Sequence, residues 1–231
     1  MKIAVLSDIH GNKYALKEVL DEVSHHQIEK VFVLGDCVGY YYYPNEVLEM
    51  LSPWEPEMIQ GNHEKLLMQL KNKEIDSNVL KSKYGSGHIK ALEKLSEKQL
   101  EYLLSKPFST SVKIDDISFQ LNHGSPWDYN TYLYPDTDKA ILEKCNSSDH
   151  DFVLVGHSHY AFSYTCNNSI LINVGSVGQS RSKGGIADWV IIETSTKQVE
   201  FKKTAYSTEC LMRDVEKFDP ENSYNLSILS R

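Results

Sequence analysis

Residues 2–12, Lys2-Ile3-Ala4-Val5-Leu6-Ser7-Asp8-Ile9-His10-Gly11-Asn12, change character at one point: an apolar run gives way to Ser-Asp-x-His-Gly-Asn. The run reads as a strand. Lys13 to Ser24 reads as a helix, because Ala15, Leu16, Val19, Leu20 and Val23 fall on one of its faces and Asn12 is placed to cap its start. A second apolar run, Val31 to Leu34, then returns to strand. Strand, helix, strand is the unit of a parallel or mixed sheet, so the chain opens as an α/β protein with a polar loop at the carboxyl end of its first strand.

Further along the chain, short apolar runs predict strands at Met58 to Gln60, Ile117 to Leu121, Phe152 to Val155, Ile170 to Ile172, Val190 to Ile192 and Val199 to Phe201. Pro44 to Leu51 predicts a second helix with its proline in the first turn. Lys65 to Lys106 carries helical patterns, among them a Ser96-Glu97-Lys98-Gln99 capping box, and no convincing strand; it reads as a helical insertion or cap. Residues 207–231 are polar, with a weak helical stretch around Cys210 to Phe218. The expected organisation is one domain over 1–206, an insertion at about 65–106 and a C-terminal tail, within the size range of a single core for 231 residues.

Composition narrows the function. Against 24 Lys and Arg stand 32 Asp and Glu, a net charge of −8, which removes the electrostatic footprint of a protein that grips long nucleic acid. A small phosphorylated substrate stays open, since a metal site supplies positive charge locally. Cys37, Cys145, Cys166 and Cys210 form no C-x-x-C pair and read as free thiols. The opening residues lack the apolar core of a secretory signal and no run is long enough to span a membrane, so the expected location is cytoplasmic.

The polar residues matter for where they stand. Ser7-Asp8-Ile9-His10-Gly11-Asn12 follows the first strand, Gly35-Asp36 the second and Gly61-Asn62-His63-Glu64 the third, while Asn122-His123-Gly124 and Gly156-His157-Ser158-His159 follow two later ones. Ligands gather beyond the carboxyl ends of strands in open α/β sheets, so five such loops deliver their side chains to one place. Imidazole, carboxylate and amide oxygen together suit borderline divalent metals rather than calcium. His10, His63, His123, His157 and His159, joined by Asp8, Asp36 and Asn62, are too many ligands for one ion and point to two sharing a carboxylate, for which Asp36 is the choice. Manganese is the first expectation, with Fe, Zn, Ni, Co and Mg as alternatives. Any one of these motifs alone is an ordinary turn or surface pair; five at five strand ends are not.

Together these motifs resemble the calcineurin-like metallophosphoesterase family, in particular its small bacterial and archaeal phosphodiesterases and phosphatases, and the match runs to about Tyr206. The resemblance implies a four-layer α/β/β/α fold, a two-sheet β sandwich flanked by helices. It places Asp8, His10, Asp36 and His159 around one metal and Asp36, Asn62, His123 and His157 around the other, with His63 a nearby acid that is not a ligand. Asn173 to Arg181 is similar to a family loop that usually reads Asn-Pro-Gly-Ser, here with valine for proline, and Glu64 stands where the family usually has aspartate.

On this reading a hydroxide bridging the two metals attacks a small phosphomonoester or phosphodiester. Asp36, Asn62 and His63 take catalytic roles. The metals and Asn62 neutralise phosphoryl charge, and His63, held by a neighbouring carboxylate or carbonyl, assists the leaving group. Arg181 reads equally as a phosphate ligand and as a solvated charge, and Asn12 as a loop or phosphate contact beside its capping role. Tyr40-Tyr41-Tyr42-Tyr43 reads as a loop packed on the helical insertion, with a stacking platform for a nucleobase as the alternative. His88 and His150, with no motif around them, read as surface or loop residues. Two other functions compete: a non-catalytic interaction scaffold, which the complete ligand set argues against, and a nuclease, which the acidic single-domain chain argues against.

Overall fold

The computed structural model describes all residues, 1–231. Ten strands form two five-stranded sheets. The first contains β1 (Lys2–Leu6), β2 (Lys30–Val33), β3 (Glu57–Met58), β9 (Ile186–Glu193) and β10 (Gln198–Ala205), in the order β10-β9-β1-β2-β3. The second contains β4 (Ser109–Ile114), β5 (Ile117–Asn122), β6 (Phe152–Val155), β7 (Ala161–Thr165) and β8 (Ile170–Val174), in the order β4-β5-β6-β8-β7. β1, β2 and β3 pair in parallel, as do β5, β6 and β8, and the remaining pairings are antiparallel. This is the expected two-sheet sandwich of mixed sheets flanked by helices.

Alternation along β1 shows how the layers are specified. Ile3 and Val5 point between the sheets, where they join Phe32, Phe119, Leu121, Phe152 and Leu154; Ala4 and Leu6 point the other way, onto the helices. Phe119 sits at the centre of the sandwich, edge-on to Phe32 and stacked on Phe152. On the helical side, α1 (Lys13–His25) buries Ala15, Leu16, Val19, Leu20 and Val23, and α2 (Pro44–Leu51) buries Val47, Leu48 and Leu51. The insertion is α3 (Asn62–Lys71), α4 (Ser77–Tyr84), α5 (Gly87–Lys94) and α6 (Glu97–Leu104), and the Ser96 box caps α6 as read. A short helix, α7 (Lys139–Leu142), lies on the outer side of the second sheet. No helix is long and apolar enough to cross a membrane.

Two differences from the sequence reading stand out. β4 and β7, which it lacked, are the two edges of the second sheet; one face of each stays wet, so their polar Ser-Thr-Ser-Val-Lys and Ala-Phe-Ser-Tyr-Thr runs give little apolar signal. In residues 207–231 the expected helical stretch is α8 (Glu209–Phe218), and a second helix, α9 (Ser223–Leu229), follows; together they pack Leu211, Val215 and Leu229 on Tyr40, Tyr41 and Tyr42. The tyrosine run therefore packs chiefly on the C-terminal helices, with Tyr40 also reaching Tyr84 of the insertion. Asp219 ties three segments together by accepting hydrogen bonds from Tyr42 Oη (2.9 Å), Ser86 N (2.7 Å) and Ser86 Oγ. Replacing Asp219 with alanine leaves these buried donors unpaired, so stability should fall by roughly 1.5–3 kcal/mol in urea titrations, with amide exchange rising first in residues 209–229.

Candidate metal centre

Three of the five loops, those after β1, β2 and β6, end their strands in an abrupt turn. Asp8, His10, Asp36, His157 and His159 all adopt left-handed backbone conformations, with φ of 54°, 53°, 55°, 64° and 61°. Such conformations cost a residue with a Cβ about 1 kcal/mol or more and persist only where the surroundings impose them. Here the turn swings each side chain off the strand axis toward a common centre. Hydrogen bonds between loops hold it: His10 N donates to Asp36 O (2.8 Å), Gly156 N to His123 O (2.7 Å) and Gly178 N to Asp8 O (2.9 Å). The Asn173 loop adds Ser176 Oγ to Asp8 O (2.8 Å) and Asn173 Nδ2 to Gly156 O (2.8 Å). With valine in the usual proline position the ladder simply continues, Val174 pairing with Ala161.

The seven expected ligands meet. Asp8, His10 and His159 form one buried group and Asp36, His123 and His157 another, each with ligand atoms within 4.8 Å of one another. Asn62 joins the second through Oδ1, 3.0 Å from His123 Nε2. Asp36 Oδ2 lies 3.2 Å from His123 Nε2 and 3.9 Å from His10 Nε2, between the groups. His63 also falls near His10 and Asp36.

The donor chemistry tests whether these groups fit cations. The Nδ1 atoms of His10, His123 and His159 face the carbonyls of Val38 (3.0 Å), Leu34 (2.7 Å) and Gln179 (2.7 Å). A carbonyl only accepts, so each Nδ1 carries a proton and each Nε2 is turned inward, where a bound cation would find it bare. His10 Nε2 and His159 Nε2 then face each other at 3.1 Å, with Asp8 Oδ1 3.2 Å from His159 Nε2. Asp8 Oδ1 and His157 Nε2 are buried without a partner, although Asp8 Oδ2 accepts from Ser7 Oγ (2.6 Å) and His157 N (2.9 Å). Acceptors crowded onto acceptors are stable only around positive charge, and nitrogen with oxygen in these proportions fits two divalent ions.

Charge follows the same logic. Burial opposes ionisation of Asp36, yet His123 and His63 hold its carboxyl well below the usual range; for Asp8, His159 and His123 do the same against burial. Burial also works against a charged His123, but Asp36 and Asp8 push its imidazolium up to about 10. Burial brings His10 and His157 down to about 4, leaving them neutral and ready to ligate.

Beneath the ligands lies Glu64, a residue whose role the sequence did not reveal. Fully buried, it accepts from Asp36 N (2.8 Å), Cys37 N (2.8 Å), Val38 N (3.3 Å) and Gly61 N (2.8 Å). Burial and the Asp36 carboxylate push it up to about 7, against the pull of these amides. It thus ties the turn at Asp36 to the start of α3, whose His63 N donates to Asp36 Oδ1 (2.8 Å). Its place three residues after Gly61, at the head of a helix, was the available signal.

Other expectations change. Asn12 caps α1 by accepting from Ala15 N (3.1 Å), and its amide donates to Gly178 O (2.8 Å) and Tyr206 Oη (3.2 Å), so it braces the loop and has no donor left for a phosphate. Arg181 stands among Tyr224, Tyr40, Tyr132 and Tyr134 beside the centre, partly buried, with Nε unpaired. His88 is not at the surface; it is fully buried against His63. His63 is accordingly held by that imidazole and not by a carboxylate or carbonyl. His150 lies partly exposed between Ser111 and Ser147, as a loop residue should. Tyr132, also missed, lays a ring that is 44% exposed over His157, centroids 3.8 Å apart.

Two mixed sheets with an acceptor-lined histidine and carboxylate centre at their carboxyl edge define a metallophosphoesterase-type protein. The chain belongs to the calcineurin-like phosphoesterase superfamily, whose domain matches residues 1–197. An uncharacterised protein of Methanocaldococcus jannaschii is 29% identical over 225 residues, 88% of this chain and 87% of that protein. A hypothetical protein from Pyrococcus horikoshii OT3 superimposes with a TM-score of 0.86 at 22% identity, covering 100% of this chain and 98% of its own. A metallophosphoesterase from Sphaerobacter thermophilus gives 0.81 at 22% identity, covering 99% and 98%. These structural likenesses speak for the fold.

Because His123 holds a proton up to about pH 10, a cation must displace it. Affinity for Zn or Mn should fall about tenfold per unit as pH drops from 8 to 6, with proton release visible by calorimetry in buffers of different ionisation enthalpy. Glu64→Ala, which removes no ligand, should both lower bound metal and cost roughly 3 kcal/mol or more, since it orphans a cluster of buried amides.

Proposed function

We propose that this protein is a binuclear metal-dependent phosphoesterase acting on a small phosphorylated substrate. The observation that carries the reading is the buried shell of seven side chains from five strand ends, which brings imidazole nitrogens and carboxylate and amide oxygens together at one centre. Asp8, His10, Asp36 and His159 would hold one cation, and Asp36, Asn62, His123 and His157 the other. Mn is the first choice, with Fe, Zn, Ni, Co and Mg as alternatives. The chemistry such a pair supplies when bound is Lewis acidity toward phosphoryl oxygen and a water made acidic enough to attack phosphorus.

The rest falls to the chain's own groups. Asn62 commits Oδ1 to the His123 side and keeps its amide N–H for a phosphoryl oxygen. His63 commits Nδ1 to His88, so its Nε2 is the atom that meets the leaving oxygen. Arg181, with no carboxylate partner, is placed to take a phosphate oxygen at the rim. Tyr132 and Tyr134, parallel within 8°, make an aromatic wall beside His157 that suits a flat leaving group such as a nucleobase. The net charge of −8 disfavours a long nucleic acid, and the wall favours a nucleotide.

Protein purified without chelator should carry about two metals per chain and hydrolyse p-nitrophenyl phosphate or its bis ester when supplied with Mn. Asp36→Asn should lose both metal and turnover. His63→Ala should keep the metal while kcat drops by about 10²–10⁴. Absence of metal and of turnover with Mn, Fe, Zn and Ni alike would show the reading to be wrong. Arg181→Ala should raise KM about tenfold, the loss of one charge-assisted phosphate contact, while kcat changes less.

A further inference from the structure

α5 sends one polar side chain into the base of the centre. His88 is fully buried and its Nε2 lies 3.1 Å from His63 Nδ1, with the two rings within 9° of parallel. Tyr84 and Tyr40 close the sides, their ring centroids 4.8 Å and 5.0 Å from that of His63. Opposite, Gly39 leaves room: a methyl group there would overlap His63 Nδ1. His63 therefore has one polar neighbour on its Nδ1 side.

The proton on this contact can be placed. His88 Nδ1 is buried without a partner. A bare nitrogen in that position forfeits one weak acceptor, whereas an N–H there would be a buried donor left unpaired, the costlier case. The His88 proton thus sits on Nε2 and is donated to His63 Nδ1. A neutral His63 must then carry its own proton on Nε2, the ring nitrogen with no partner in the protein.

We infer that His88 is a positioning residue, which locks His63 in the tautomer whose Nε2–H points a hydrogen bond at the leaving oxygen of a phosphoester. The inference rests on the phosphoesterase reading for the leaving oxygen, but the tautomer itself does not. No proton need leave His63: as the P–O bond breaks, the neutral N–H stabilises charge growing on the departing oxygen. That help counts most when the leaving group is poor.

Two measurements decide the matter. Nitrogen-15 spectra of histidine-labelled, Zn-loaded protein report the His63 tautomer without reference to activity: Nε2–H is expected in wild type, and a mixture in His88→Leu. Hydrolysis is then compared for p-nitrophenyl phosphate and phenyl phosphate. His88→Leu should lower kcat on the phenyl ester about tenfold or more, with a smaller loss on the nitrophenyl ester and KM and metal content unchanged. His88→Gln, which keeps an N–H close to the position of Nε2, should recover most of the loss. An Nδ1–H tautomer in wild-type His63 overturns the inference, whatever the activity. So does an equal loss on both esters that glutamine does not repair, or no loss at all. If wild type hydrolyses neither ester, the phosphoesterase reading is what fails, and the tautomer stands or falls on the spectra alone.

Discussion

Asp36 receives the amide of His63 on one oxygen at 2.8 Å and turns the other toward His123 and His10. It is almost wholly buried, at 1% exposure. A carboxylate so placed must be answered by positive charge or abundant donors. The helix start at Asn62 supplies donors, the shell of imidazoles supplies a place for cations, and Glu64 pins the turn that carries Asp36 to the loop that carries His63. Remove that carboxylate and the two ligand groups lose the atom between them.

Holding such a group requires strain elsewhere. Five of the expected ligands occupy left-handed backbone conformations, each unfavourable alone, and each is backed by hydrogen bonds between loops. The two sheets make this possible because their parallel strands all release their loops at the same edge, and the aromatic core around Phe119 fixes one sheet against the other. Rigidity under the loops is what allows crowded acceptors to stay crowded.

Much of this was legible in the sequence for a local reason. Strand runs and the polar residues ending them are adjacent in the chain, so Ser7-Asp8-Ile9-His10 or Gly61-Asn62-His63 announces both element and candidate ligand. Asn12 as a cap and the Ser96 box are equally local and appear as read. β4 and β7 were missed because an edge strand has too little buried face to mark the sequence. α8 and α9 were underread because each buries only a few apolar residues, against tyrosines about 170 residues away in the chain.

The α/β class and the strand-end cluster of candidate metal ligands could be read from the chain before it was folded, because backbone periodicity and side-chain type are properties of short segments; the family resemblance then divided that cluster between two expected cations. The surroundings of those ligands came from the folded molecule alone: His63 leans on His88, Glu64 gathers four amides, Asn12 is spent within the loop and Arg181 stands among tyrosines. Apart from the Gly61 amide, these contacts join residues 25 to 166 positions apart. Their partners are chosen by how packed helices and loops meet in space, and no spacing along the chain encodes that directly.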